Sequence, residues 1–326
     1  MGRMWARIVL LAFLCLLAGT AANGQVLQDG PTSPPPPAAS TLPLEPQQRA
    51  TLEKAVKTRD YEGAEKQLVA EIEQKPKSPE LLKFLGSIFF LDGKYLNTAI
   101  ALKKAEAIAP LDNPSRFTLA LAYIILNHRD WARPELERLA QLEPSNSLYP
   151  YWLGRIDYDA MQFTAAVSSF NKAIELDPAY MKTYDNLGLC YEALGDYDDA
   201  IKTYQEAIRR NREKPPPSPW PPLNLGALLI KLGRLDEAET VLRESLQYDL
   251  RFPQAHYQLG LLLEKQKKND EAIAELRQAA TLSPSYAEPH YVLGRIYRRK
   301  GATKSAEAAW ATFQKLKKED PKERPH

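Results

Sequence analysis

The sequence predicts an all-α solenoid of about eight tandem helix-turn-helix repeats, because three rows of residues recur with one period. The first row consists of small residues, most of them 34 residues apart: Gly86, Ala120, Gly154, Gly188, Gly226, Gly260 and Gly294. The second row consists of alanines twelve residues after a small residue: Ala132, Ala166, Ala200, Ala238, Ala272 and Ala306. The third row consists of prolines a further twelve residues along: Pro110, Pro144, Pro178 and Pro284.

Each period is interpreted as two amphipathic helices joined by a tight turn. Small residues let the two helices approach closely, and the proline ends the second helix because it cannot continue a helix. Repeats of this kind contact only their neighbours and build one continuous core along the stack.

The pattern resembles the tetratricopeptide repeat family, whose signature is W-x2-L-G-x2-Y, then A-x3-F, then P. With the small residue at position 8, the repeats are 79–112, 113–146, 147–180, 181–214, 219–252, 253–286 and 287–320, preceded by a degenerate repeat at 45–78 in which Leu52 replaces glycine. The resemblance implies a right-handed superhelix of close to one turn. It also implies a concave groove, lined by the first helix of each repeat, that binds a protein or peptide.

The N-terminus has the features of an export signal. Arg3 and Arg7 precede an apolar run from Ile8 to Leu17, and small residues follow, which is typical of a secretory signal peptide over residues 1–24. The run is short for a membrane span, so cleavage is favoured over an uncleaved anchor, and membrane contact is expected only for the anchor. Residues 25–44 are rich in proline and are predicted to form a disordered linker, and residues 321–326 form a tail.

Composition argues against several functions. Lys and Arg total 43 against 41 Asp and Glu, which gives no reason to expect nucleic acid as a partner. The nucleotide-binding, zinc-protease and serine-hydrolase motifs are absent, so the chain is predicted to be no enzyme and to hold no cofactor or metal. After signal cleavage Cys190 would be the one remaining cysteine, in an apolar helix, where we expect it to be buried.

A proline-rich insertion at 215–222 interrupts the period between the fifth and sixth repeats. It is interpreted as a plain loop insertion. The alternatives are a hinge in the stack or a loop that presents Trp220 to a partner.

Repeat positions 2, 5, 9 and 12 share one face of the first helix, with positions 6 and 13 beside it. Because the resemblance places this face in the groove, we predict a partner-binding site that changes character along the stack: Phe117, Tyr151, Trp152, Arg155, Asn186, Asn224, Tyr257, Gln258, Tyr291 and Arg295. The amides form a short row that either hydrogen-bonds an extended peptide or is ordinary for such repeats. The arginines near the C-terminus either pair with carboxylates of a partner or form a solvated cap.

The predicted function is therefore a non-catalytic interaction scaffold that works outside the cytoplasm, in a bacterial envelope or as a secreted protein. The alternative is a dedicated accessory subunit of a cell-envelope enzyme, a polysaccharide export system or an outer-membrane assembly machine.

Overall fold

A computed structural model of the protein describes residues 38–213 and 215–319. The predicted signal peptide, residues 25–37 of the predicted linker, Lys214 and the tail from residue 320 lie outside these ranges. The chain divides into two compact units, one ending at Gln162 and the other beginning at Phe163.

Unit 1 contains seven α-helices within its described residues, each packed on the next. They are α1 (Pro46–Thr58), α2 (Tyr61–Gln74), α3 (Pro79–Leu91), α4 (Tyr95–Glu106), α5 (Asn113–Ile125), α6 (Arg129–Leu142) and α7 (Leu148–Asp159). Short polar side chains start three of them: Asp60, Ser78 and Asp112 accept hydrogen bonds from backbone amides in the first turns of α2, α3 and α5.

Unit 2 contains nine α-helices within its described residues. They are α8 (Phe163–Leu176), α9 (Met181–Leu194), α10 (Tyr197–Arg212), α11 (Trp220–Lys231), α12 (Leu235–Tyr248), α13 (Pro253–Lys265), α14 (Asn269–Leu282), α15 (Glu288–Arg299) and α16 (Thr303–Glu319). Besides the contacts between consecutive helices, α9 packs on α11, α11 on α13 and α13 on α15. First helices of neighbouring repeats therefore lie side by side.

The predicted fold class, an all-α stack of helix-turn-helix repeats, is confirmed. Each predicted repeat range holds two consecutive helices. In five repeats the glycine of the first helix faces the residue sixteen positions later in the second. A Cβ atom on Gly260 would lie 2.7 Å from Cγ of Leu276, and one on Gly188 would overlap the ring of Tyr204. The row of small residues is thus a row of close helix contacts.

The turn between the two helices of a repeat has a constant geometry. Position 15 of every repeat has a positive φ, as in Arg59 (59°), Gly195 (86°) and Lys267 (64°). Glycine adopts this left-handed conformation without strain, whereas a side chain raises its energy.

The C-terminal end of the predicted disordered linker needs correction. Residues 39–41 form a 3-10 helix, and Leu42 and Leu44 are buried in a core that includes Leu52 of the first repeat and Phe84 of the second. The Arg49 side chain donates to the carbonyls of Leu44 (2.7 Å) and Ser40 (2.9 Å), which fastens the segment. We call residues 38–44 the N-terminal strap. It covers apolar surface that a preceding repeat covers elsewhere in the stack.

The proline-rich insertion is held near its middle by hydrogen bonds to Ser218 and Pro219. The Asn211 amide exchanges two hydrogen bonds of 2.8 Å with the backbone of Ser218, and Ser245 Oγ donates to the Pro219 carbonyl at 2.8 Å. These bonds favour a plain insertion. The alternative in which Trp220 is presented to a partner is wrong, because its ring is buried edge-on against Phe252, with centroids 4.9 Å apart.

Cys190 is buried, as expected. None of the helices within residues 38–213 and 215–319 is both long and apolar enough to cross a membrane.

Candidate functional site

The four predicted site residues in unit 1 are buried: Phe117, Tyr151, Trp152 and Arg155. Phe117 packs edge-on against Tyr149, with ring centroids 5.3 Å apart, and Tyr151 packs in the same way against Trp152. This corrects the expectation that they line an open surface. Their aromatic area is already covered by the chain itself, so they stabilise the stack.

The amide row in unit 2 is also engaged within the protein. Asn186 Nδ2 donates to the Lys182 carbonyl at 2.6 Å, and Asn224 Nδ2 donates to Asp185 Oδ1 at 3.3 Å. Both amides and Asp185 are buried. The structure therefore favours the alternative in which these amides are a common structural feature of the repeats. Their assignment to a row that hydrogen-bonds an extended peptide is corrected.

The remaining four predicted residues lie on the neighbouring first helices α13 and α15, and we call them the Tyr–Arg surface: Tyr257, Gln258, Tyr291 and Arg295. Tyr291 is 48% exposed, Arg295 is exposed, and Tyr257 and Gln258 are half-buried. The Arg295 guanidinium lies 6.0 Å from the centroid of the Tyr291 ring. Aromatic and arginine side chains with free area are the types that anchor protein interfaces.

A buried carboxylate organises the cationic side of this surface. Glu264, at position 12 of α13, accepts from Arg295 Nε at 2.9 Å and pairs with Arg299 Nη2 at 2.7 Å. Two arginines therefore share one carboxylate, which leaves one positive charge for a ligand. Each guanidinium has further N–H groups that Glu264 does not occupy.

Two tyrosines form the apolar side. The Tyr257 and Tyr286 rings lie 5.2 Å apart, and burial, reinforced by the nearby Glu288 carboxylate, raises the pKa of Tyr257 to about 12. Burial also raises the pKa of Tyr286. Both hydroxyls thus stay protonated at neutral pH and can donate hydrogen bonds.

Sequence reasoning missed Glu264 and Tyr286. Glu264 could have been found, since position 12 belongs to the same face as positions 5 and 9. Tyr286 ends its repeat, and only the tertiary structure brings it to Tyr257.

His256 and His290 occupy the same repeat position, but their surroundings differ. His256 Nδ1 lies 2.6 Å from Glu275 Oε2, and its Nε2 lies 3.0 Å from the Leu250 carbonyl oxygen. Burial acts to lower the pKa of His256, but these acceptors outweigh it and raise the pKa. Burial lowers the pKa of His290. In the described part of the chain, no three His, Cys, Asp or Glu side chains are grouped to hold a metal ion.

Comparison with curated proteins finds partial relatives. The chain is 27% identical over 174 residues to the TPR repeat-containing protein YpiA of Bacillus subtilis, covering 52% of this chain and 40% of that protein. It is 33% identical over 99 residues to heat shock protein STI1 of Saccharomyces cerevisiae, covering 29% of this chain and 16% of that protein. The chain thus spans less than half the length of either relative.

Solved structures share the fold at lower identity. Yeast Tom70 has a TM-score of 0.60 at 19% identity, covering 81% of this chain and 56% of that one. A tetratricopeptide repeat protein from Parabacteroides merdae has a TM-score of 0.61 at 16% identity, covering 80% and 98%.

Three sequence profiles, each described as the tetratricopeptide repeat, match residues 151–180, 183–214 and 223–287. These segments coincide with helix pairs in which position 8 is glycine and the turn follows at position 15. The profiles, the curated relatives and the helix pairs agree that these segments of the chain are tetratricopeptide repeats.

Proposed function

We propose that this protein is a non-catalytic scaffold that works outside the cytoplasm and binds a partner protein or peptide at the Tyr–Arg surface. The observation that carries the proposal is the location of the accessible predicted residues. Six of the ten predicted side chains are buried, and the other four lie together on α13 and α15.

The chemistry of the surface supports recognition of an acidic segment. Arg295 and Arg299 exceed the single carboxylate of Glu264 by one charge, and an arginine can hold a carboxylate through two parallel hydrogen bonds. Tyr291 offers a flat apolar face next to it. Tyrosines that remain protonated and arginines held in ion pairs suit binding rather than proton transfer at neutral pH.

The location outside the cytoplasm rests on the N-terminal sequence alone. Two arginines, a short apolar run and small residues precede the linker. Mass spectrometry of the protein purified from its own cells should find a mature N-terminus after Ala22 or Gly24. An intact residue 1–24 segment on a protein recovered from the cytosol would contradict export.

Crosslinking followed by pull-down tests the binding site. The double variant Gln258→Ala, Arg295→Ala removes two side chains of the Tyr–Arg surface but leaves Arg299 to pair with Glu264. The matched control is Arg277→Ala, Gln278→Ala, which removes the same residue types from exposed positions of the second helix α14.

We expect the wild type and the control to recover the same partner and the site variant to lose it, with all three keeping equal melting temperatures. Recovery of the partner by the site variant would refute the assignment of this surface. A single stoichiometric partner would favour a dedicated subunit of an envelope enzyme, export system or assembly machine, whereas several peptides of shared acidic character would favour a general adaptor.

A further inference from the structure

The second helix α16 differs from every earlier second helix at two positions. Repeat positions 24 and 27, which both lie on the second helix, are buried in the seven preceding repeats. Examples are Leu242 with Ser245 and Leu276 with Ala279. In α16 these positions hold Trp310 and Phe313, which are both only half-buried. Trp310 and Phe313 are the largest side chains found at positions 24 and 27, and they are partly accessible to solvent, whereas the smaller side chains at these positions in the other repeats are buried.

These two aromatic residues belong to one connected cluster. The Phe313 ring lies 5.3 Å from Tyr291, and Trp310 Nε1 donates to the Tyr291 carbonyl at 3.3 Å. The guanidinium of Arg298 lies 5.8 Å from the Trp310 ring. We call Arg298, Trp310 and Phe313 the end patch. It borders the Tyr–Arg surface at Tyr291, with Trp310 and Phe313 on the second helix α16 and Arg298 on the first helix α15.

The inner repeats show what shape of ligand covers such a face. The second helix α12 is covered by the first helix α13, and α14 is covered by α15. The buried apolar residues of α13 recur at steps of three and four: Ala255, Leu259 and Leu262. A helix with an apolar stripe of this spacing therefore fits the outer face of a second helix.

The charge around the end patch selects the partner further. Residues 288–319 carry eight lysines and arginines against three carboxylates, and of the eight, Arg295 and Arg299 pair with Glu264 and Lys300 pairs with Asp270. Arg298 is exposed and forms no ion pair with any carboxylate in residues 38–213 and 215–319. A ligand helix with acidic residues beside its apolar stripe would match this charge. A second copy of the same patch would place like charges together.

We propose that the end patch docks an acidic amphipathic helix of a partner protein, seated as the first helix of a following repeat. This patch adjoins the Tyr–Arg surface at Tyr291, but its proposed ligand does not depend on binding at that surface. A first helix at this place would cover Trp310 and Phe313 and bring its carboxylates to Arg298.

Binding of a designed helix to the full-length protein tests the proposal. The probe is a fluorescent, hydrocarbon-stapled peptide with the sequence of residues 253–265, in which His256 and Lys265 are each replaced by Glu. The staple is needed because an unconstrained helix of this length is marginal in water. One control peptide carries Lys at the two replaced positions, and another carries Ser in place of Leu259 and Leu262.

We expect the acidic peptide to bind the wild type, with both control peptides weaker by about ten-fold or more, as for loss of an interface anchor. Arg298→Glu and Phe313→Ser should each weaken the acidic peptide by a similar factor. The Gln258→Ala, Arg295→Ala variant should bind it like the wild type. Arg298 is exposed, so Arg298→Glu is the variant that tests the surface without altering the core.

Three results would overturn the proposal. One is equal binding of the acidic peptide by the wild type and Arg298→Glu, and another is equal binding of the acidic and basic peptides. The third is a dimer in sedimentation velocity that Arg298→Glu or Phe313→Ser dissociates, because the occupant would then be a second copy of the chain.

Discussion

Unit 1 and unit 2 contain the same kind of helix pairs, but the residues at the close contacts within those pairs differ. All four repeats that lie wholly in unit 2 have glycine at position 8: Gly188, Gly226, Gly260 and Gly294. The three repeats that lie wholly in unit 1 have Leu52, Gly86 and Ala120 there. The three matched family profiles cover segments from residue 151 onward. Unit 1 therefore forms the same helix pairs although its sequence lacks part of the repeat signature.

The turn at position 15 shows the same contrast. Unit 2 has glycine at three of its four turns, with Lys267 as the exception, whereas unit 1 has Arg59, Asn127 and Met161 besides one glycine. The burial pattern is nevertheless shared, since position 24 is fully buried in every repeat except the last, as in Leu68 and Leu276. The comparison teaches that the apolar pattern determines the helix pair, while the glycines relieve local strain and crowding.

The units also differ in one ion pair at equivalent positions of the repeat. In unit 1, position 4 of the third repeat is Arg116, which pairs with Glu135 at position 23 and with Glu106 at 3.1 Å. In unit 2, the same positions of the seventh repeat are His256 and Glu275. Arginine keeps its charge at any physiological pH, whereas histidine titrates near neutrality.

The largest expected effect concerns the N-terminal strap, which unit 1 has and which covers the first repeat. Leu44→Ala should lower the free energy of unfolding by about 3 kcal/mol, because it removes a buried leucine and leaves a cavity. Amide hydrogen exchange should locate the loss in α1 and α2. Leu250→Ala is the matched control in unit 2, and it should change little because Leu250 is 74% exposed. Equal losses in the two variants would mean that the strap does not stabilise the first repeat.

Crowding at position 8 gives the next effect. Gly188→Ala should lower the free energy of unfolding by about 2 kcal/mol, since the added Cβ overlaps the rigid Tyr204 ring. Gly260→Ala should lower it less, because the flexible Leu276 side chain can move aside. Urea unfolding monitored by circular dichroism measures both. If Gly260→Ala proves the more damaging, the ring is not the constraint.

The turn residues give a smaller effect of opposite sign. Lys267→Gly and Arg59→Gly should each raise the free energy of unfolding by about 1 kcal/mol, because glycine adopts the left-handed conformation without the cost of a Cβ. Gly195→Ala should lower it by a similar amount. The same urea titrations measure these changes. A loss of stability in Lys267→Gly would show that its side chain contributes more than the strain costs.

The smallest effect is the pH dependence of the ion pair in unit 2. The pKa of His256 is raised in the folded protein, so the pair with Glu275 stabilises fully below the unfolded pKa of about 6.5 and loses this contribution as pH rises through the folded pKa. His256→Arg should remove this part of the pH dependence between pH 6 and pH 8. Melting temperatures across that range measure it. A wild type and a variant with parallel pH profiles would show that His256 is not the titrating group.

Much of the fold was predictable because its signals are local and repeated. The period fixes where each helix pair lies, and a small residue opposite a large one sixteen positions later predicts a close contact. The site was only partly predictable. Tyr257, Gln258, Tyr291 and Arg295 were placed on an accessible face, whereas the same positions in Phe117, Tyr151 and Asn224 proved buried. Sequence spacing assigns a residue to a helix face, but it does not give the gap between that face and the next helix.

The sequence by itself determined the class of fold, the helix pairs and the residue types available for binding. Helical periodicity and packing between neighbouring helices depend on residues that are close together in the sequence. Only the tertiary structure decided which of those residues remain accessible. It also placed the Glu264 carboxylate where it forms ion pairs with both Arg295 and Arg299. It also decided that residues 38–44 close one apolar surface while Trp310 and Phe313 keep another partly open. The physical reason is that burial depends on distances between residues far apart in the chain, which a repeat pattern does not specify.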